Sequence, residues 1–122
     1  MASLKVYTNN LLTIEVIEDS KSIQAIWKGK SVDREPSKFI TPLLVRLNKR
    51  CSDHGKRLIL DFRTISFMNS STITPIIRIL ERAKRGSTQI AIQYDGTLKW
   101  QDLIFSALTI FETKDNRVEL QG

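Results

Sequence analysis

One cysteine, one histidine and five glycines leave this 122-residue chain short of the parts on which most protein chemistry depends. Cys51 has no internal disulfide partner, which fits a reducing compartment. With His54 as the only imidazole, a zinc-ligand set cannot be assembled. A Cys51–His54 dyad is conceivable at a helix end, but nothing nearby supplies an oxyanion hole or an orienting carboxylate, and His54 reads instead as part of a helix end. The glycines form neither GxGxxG nor GxxxxGK[ST], so no phosphate-cradling loop is present. Asp33 and Asp61 have no carboxylate partner at a local spacing suited to acid–base work; Asp61 is expected to satisfy loop backbone N–H groups at a strand end. No apolar run approaches the roughly 20 residues of a membrane span, and Met1–Tyr7 meets Asn9 and Asn10 too soon for a signal-peptide core. These absences point away from an enzyme, a metalloprotein and a membrane protein, and towards the cytosol.

What is present supports one folded domain over residues 1–122. Apolar residues make up 41% of the chain and charged residues 26%, enough for a core without staples. The net charge of +6 raises the question of nucleic acid. Its cations fall into two loose groups, Arg46, Lys49, Arg50, Lys56 and Arg57, then Arg78, Arg82, Lys84 and Arg85. Both groups lie near the ends of predicted helices, where cations meet the helix dipole favourably. No aromatic residues interleave with them as in single-strand binders. A solvated or protein-binding basic face is therefore preferred to a nucleic-acid surface.

Residues 11–17 and 22–27 read as strands, the second alternating at Ile23, Ala25 and Trp27, with a hairpin turn at 18–21. A loop from Gly29 to Arg34 leads to a helix from about Pro36 to Asp53, with Phe39, Ile40, Leu43, Leu44 and Leu47 at helical spacing. Pro42 either kinks this helix or begins it, with Thr41 as cap. His54-Gly55 ends it. Residues 57–62 read as a buried central strand. A second helix carries Ile73, Ile76, Ile77 and Leu80 and stops at Gly86. A strand follows at 88–94, then a helix at 98–108 with Leu103, Ile104 and Leu108 inward, then a short strand within 116–120. Trp27 and Trp100 are expected in the core or at its rim. Two strands followed by alternating helices and strands predict an α/β domain, a mixed β-sheet with packed α-helices.

The stretch from Leu58 to Ile73 is the most informative. An apolar strand ends in Asp61, a short loop follows, and the hydroxyls of Ser70, Ser71 and Thr72 open a helix. The first turn of a helix has unpaired N–H groups and the positive end of the dipole, so it holds a negative group well. Asn69, Ser70 and Ser71 are also good helix caps, and capping is the plainer reading of their residue types.

This block resembles the STAS domain, the fold of bacterial anti-sigma-factor antagonists. That family carries an apolar strand with an acidic end, a loop with a pair such as Phe-Met, then Asp-Ser-Ser-Gly-Leu. Here those positions are Leu58-Ile59-Leu60-Asp61, Phe67-Met68 and Asn69-Ser70-Ser71-Thr72-Ile73. Ile26-Trp27-Lys28-Gly29, residues 89–94 and the helix around 98–108 match the remaining pattern in order. Asn69 and Thr72 depart from the usual Asp and Gly. They are similar to a STAS-like branch containing a biofilm-regulating phosphoprotein that acts on a diguanylate cyclase, as are Gly29-Lys30-Ser31 and Gln93-Tyr94-Asp95.

The resemblance implies a non-enzymatic phosphoprotein of a partner-switching system. It implies phosphorylation of Ser70, with Ser71 and Thr72 as the alternatives, by a serine/threonine protein kinase of the anti-sigma type, and reversal by a PP2C-like phosphatase. The partner bound in the unphosphorylated state would be such a kinase or a diguanylate cyclase. Ser31, Asp33, Met68, Asn69, Ser71 and Thr72 are the expected partner-binding residues. A scaffold that is never phosphorylated, a basic nucleic-acid-binding domain and a small-molecule sensor are the competing readings. No cofactor or metal is implied.

Overall fold

Apolar and polar residues alternate from Leu12 to Trp27, and they form two antiparallel strands in the computed structural model, which describes residues 2–122. Leu12, Ile14 and Val16 of β2 (Leu12–Glu18) share one buried face with Ile23, Ala25 and Trp27 of β3 (Ser22–Ser31). A period of two sends alternate side chains to the same side. The turn between them is held by Asp19, whose carboxylate accepts the N–H groups of Lys21 and Ser22, each at 2.8 Å. A strand that the sequence pattern does not reveal, β1 (Ser3–Asn9), pairs antiparallel with β2 from Ser3↔Glu18 to Asn9↔Leu12.

The remaining elements are α1 (Ser37–His54), β4 (Arg57–Asp61), β5 (Ile65–Met68), α2 (Ser70–Arg85), β6 (Gln89–Gln93), α3 (Lys99–Ala107) running into a 3₁₀ turn (Leu108–Phe111), and β7 (Val118–Gln121). Strand order is β1-β2-β3-β4-β6-β7; β3, β4, β6 and β7 run parallel, and β5 pairs with β3 off this path. This is the mixed sheet with packed helices that the order of elements predicts. Ile40, Leu43, Leu44, Leu47 and Cys51 of α1 and Ile76, Ile79, Leu80 and Ala83 of α2 share one core with Leu58, Leu60, Ile90, Ile92 and Val118 of the strands. Trp27, Phe62 and Phe105 continue it as an aromatic row, with ring centroids 4.7 and 4.9 Å apart. Trp100 is half-buried against its rim. Glu15, Ile17, Gln24, Ile26 and Ile59, on the alternate positions, are only half-buried.

Four local expectations change. Pro42 does not begin α1, which already starts at Ser37; Thr41 therefore caps nothing. Leu103 is 75% exposed and lies outside the core. The inner stripe of α3 runs through Gln101, Phe105 and Leu108, spaced four and three apart. Gln101 takes an inward position because its amide bonds Phe62 O at 2.8 Å and the Asp95 N–H at 2.8 Å. On α2, Ile73 and Ile77 are half-buried, and Thr72, Ile79 and Ala83 complete the buried stripe with Ile76 and Leu80.

The fourth change positions the site. Gly29 to Ser31 is strand, not loop: β3 leaves β4 behind at Ile26↔Asp61 and pairs its far end with β5, shifting register between Gly29 and Lys30. Gly29 sits at φ 84°, and a Cβ there would come within 2.2 Å of Leu11 O. Only glycine combines the left-handed backbone with that approach. Gly29→Ala is expected to destabilise the domain by about 1–3 kcal/mol or more. Urea denaturation measures this, and an unchanged midpoint would contradict the close approach.

Candidate functional site

β5 carries Met68 into the core, and the chain then turns at Asn69 (φ −75°, ψ 166°) into α2. Asn69 is the N-cap: its Oδ1 accepts the Thr72 N–H at 3.1 Å and the Thr72 hydroxyl at 2.6 Å. Its Nδ2 donates to Asp33 O at 2.7 Å, and its backbone N–H donates to Ser31 O at 3.0 Å. The Ser31 and Thr72 hydroxyls lie 2.6 Å apart in the interior. The Asp33 carboxylate accepts the side-chain amides of Asn9 and Asn10 at the β1–β2 turn. One network thus ties the hairpin tip, the end of β3 and the start of α2 together.

With the cap supplied by Asn69, Ser70 and Ser71 are released from that task. Both are exposed at the first two helical positions, and among the described residues neither hydroxyl has a hydrogen-bond partner. Their backbone N–H groups have no acceptor one turn back, and the helix dipole points its positive end at them. A phosphate on either oxygen would meet donors and positive potential.

Three expected partner-facing residues are turned inward. Ser31, Met68 and Thr72 are 2%, 5% and 0% exposed, so they brace the site from beneath and offer no side-chain surface. Their inward position follows from the hydroxyl pair and from Met68 alternating into the core. Asn69 and Asp33 are half-buried. The end of the sheet from which α2 departs instead exposes three apolar residues, Leu11, Val32 and Phe67, by 61%, 43% and 45%, of which only Phe67 belongs to the motif read from sequence. The Lys30 N–H donates to Leu11 O at 3.0 Å, and Lys30 pairs with Phe67 in the β3–β5 ladder. Val32 follows Ser31, whose carbonyl holds Asn69. Three separate segments therefore bring these apolar side chains to one end of the sheet. In sequence, Phe67 is marked by the Phe-Met pair of the motif, whereas Leu11 and Val32 are marked only by adjoining the buried Leu12 and Ser31.

Other candidate groups have structural roles. Asp61 accepts the Arg63 N–H at 3.0 Å and its guanidinium at 3.0 and 2.8 Å. Burial alone would raise its pKa; the Arg63 bonds outweigh burial and hold it below the ordinary carboxylate value. Cys51 is buried, which pushes its thiol up to about 11, the opposite of an activated nucleophile. His54 is exposed at the helix end, where Gly55 closes the turn at φ 63°. The first basic group is largely engaged internally: Arg50 and Lys56 with Glu18, Lys49 with Asp53, Arg57 with Glu119, and Arg46 over the Tyr7 ring. No helix among the described residues is long and apolar enough to cross a membrane, and no group of three metal-ligating side chains occurs among them.

The fold is STAS-like: a mixed sheet whose central strands run parallel, helices packed on it, and a hydroxyl cluster at the start of the helix after β5. Among solved structures, the chain is similar to SiaC of Pseudomonas aeruginosa, with a TM-score of 0.63 over 98% of this chain and 97% of that one. Identity is 12%, so the likeness establishes the fold. No family model and no curated protein matches the sequence.

The position where the STAS pattern has Asp is specific here for the amide. An ionised aspartate in place of Asn69 would still cap the helix, but its carboxylate would face the Asp33 carbonyl that the Asn69 amide now satisfies. Asn69→Asp is therefore expected to cost about 1–3 kcal/mol. Chemical denaturation at neutral pH measures it, and wild-type stability in this variant would refute the donor role.

Proposed function

We propose that this chain is a non-enzymatic signalling domain that binds a regulatory partner through the surface around Ser70, and that phosphorylation of Ser70 switches that binding off. The observation that carries the reading is the separation of duties at the start of α2. Asn69 caps the helix, and Ser70 presents an exposed, unengaged hydroxyl at the end of the sheet that also exposes Leu11, Val32 and Phe67.

The physics of such a site favours a switch. A phosphoserine adds roughly −1.5 to −2 charges near neutral pH. In the free domain the dianion is met by the helix N-terminus and by water, so folding is unaffected. In a closed interface against apolar side chains it must shed water without a matching cation, which is costly. The kinase, of the anti-sigma type, transfers the γ-phosphoryl group of ATP to Ser70 Oγ, with loss of the hydroxyl proton and release of ADP. A PP2C-like phosphatase restores the hydroxyl by hydrolysis, releasing phosphate. The partner bound without phosphate is that kinase or a diguanylate cyclase, and the setting is the cytosol. Ser71 is the second acceptor. Thr72 ranks third because its hydroxyl is buried and shared between Asn69 and Ser31. The STAS-like fold and the exposed hydroxyls of Ser70 and Ser71 at the start of α2 support this reading.

Ser70→Asp is expected to weaken partner binding at least tenfold, about 1.4 kcal/mol, while circular dichroism and melting remain those of the wild type. Phosphate incorporated by the cognate kinase should be lost in Ser70→Ala. Undiminished incorporation there removes Ser70 as the acceptor. Binding lost in Phe67→Asp yet indifferent to Ser70→Asp would instead identify an unswitched scaffold.

A further inference from the structure

The two ends of the main sheet path are built differently. β7 is four residues long and carries Glu119 and Gln121. β1 is seven residues long, pairs with β2 without a bulge, contains no proline, and exposes Leu4 and Val6 by 62% and 55%. Among the described residues its only strand neighbour is β2, so its outer side carries a row of free backbone N–H and C=O groups. Proteins ordinarily blunt such an edge with charges, proline, bulges or a covering segment. Here Lys5 is the sole such device, and a lysine turns away cations, not anions.

The flank of this edge is basic. Ser3, Lys5 and Tyr7 point to the helix side of the sheet, where they and α1 line an open groove of about 450 Å³. Its charges are Lys5, Arg46, Lys49 and Arg50 against Glu18 and Asp53. Both carboxylates are already taken: Glu18 by Arg50 at 2.7 Å and Lys56 at 2.6 Å, Asp53 by Lys49 at 3.0 Å. Among the described residues Lys5 and Arg46 have no carboxylate partner, and Arg46 stands over the Tyr7 ring, 5.6 Å from its centroid. Two uncompensated cations thus lie along one strand edge, one on the strand and one held above it.

We propose that β1 takes an extended acidic segment of a protein partner as an additional strand. The free row of backbone groups is matched by another backbone at strand spacing, which a small anion does not offer. The net charge of +6 disfavours a second copy and favours an anionic chain. The positions follow from the pleat. Residues opposite each other across a sheet have Cβ atoms about 4.5–5.5 Å apart. A carboxylate opposite Lys5 therefore meets its ammonium group, and one opposite Tyr7 stands beside the ring that Arg46 covers. The residue between them lies on the other face, opposite Val6, where an apolar side chain joins Val6 and Leu4. The segment reads acidic, apolar, acidic at successive positions, in either strand direction. Ser70 takes no part in this pairing.

The probe is a peptide as long as β1, acetyl-Thr-Val-Glu-Val-Glu-Val-Thr-amide, which has the same pattern in both directions. Titrated to about 1 mM into the isotope-labelled chain, it is expected to shift the amide signals of residues 3–9 and to slow their hydrogen exchange, with affinity falling as salt is added. Replacing both of its Glu by Lys should abolish binding, and so should methylating its backbone nitrogens, which leaves the charge intact. Lys5→Glu and Arg46→Glu should each weaken binding by about tenfold with unchanged circular dichroism, because reversal turns an attraction into a repulsion. Arg82→Glu lowers the net charge equally from α2 and should leave affinity within about twofold. The Lys5→Glu/Arg46→Glu double variant should prefer the Lys-substituted peptide. Absence of shifts in residues 3–9 overturns the proposal. So does undiminished binding of the methylated peptide, which would identify a simple anion site, or an equal loss in Arg82→Glu, which would identify overall charge alone. Doubling of the chain mass in sedimentation without peptide would assign the edge to a second copy instead.

Discussion

The hydrogen bond between the Ser31 and Thr72 hydroxyls, with Asn69 closing the cluster, is the contact on which the geometry of this molecule turns. It joins the side chain of the last residue of β3 to the first turn of α2, beside the backbone bond from the Asn69 N–H to Ser31 O. Packing sets distance loosely, whereas a buried, fully partnered polar cluster admits one arrangement. Both departures from the usual STAS pattern belong to it. Thr72 supplies the hydroxyl that bridges Asn69 and Ser31, and Asn69 supplies an acceptor to the helix and a donor to the Asp33 carbonyl at once. Read singly, each departure weakens the resemblance of the sequence to the STAS pattern; together they form one hydrogen-bonded cluster.

β3 makes that contact possible by being longer than its neighbours. Its first half lies between β2 and β4 in the centre of the sheet, and its second half runs past the end of β4 to take β5 as partner. Gly29 is the joint between the halves. The same overhang that delivers Ser31 to the start of α2 also leaves Val32 and Phe67 at the sheet's end, where β4 no longer covers them. The apolar surface and the hydroxyl site are thus two results of one overrunning strand.

Much of this architecture is readable in sequence because burial on one face forces periodicity. β2, β3, α1, β4, α2 and β6 all bury one side, and their apolar spacing reports it. β1 exposes most of its side chains, so no alternation marks it. β5 is four residues with buried ends and an exposed middle, a pattern without a period, and only its pairing with β3 makes it a strand. On α3 the apolar spacing misplaces Leu103, because Gln101, a polar residue, holds the inward position through its hydrogen bonds. At the site, the identity of Asn69 and Ser70 is visible in the motif. The burial of Ser31, Met68 and Thr72 is not, since a serine or threonine reads alike whether it faces water or another hydroxyl. Leu11, Val32 and Phe67 come from three segments, and local spacing carries no information about their meeting.

The Ser31–Thr72 contact spans 41 residues of chain, and the surface beside it draws on residues from 11 to 71. The 41-residue separation contains α1, β4 and β5, so the contact is a long-range one whose closure costs chain entropy. A chain still emerging from the ribosome, or one locally melted, displays Ser70 as an ordinary serine in a flexible segment, without the apolar neighbours or the ordered helix end. A ligand that required this surface whole would therefore distinguish completed domains from fragments and nascent chains that carry the same residues.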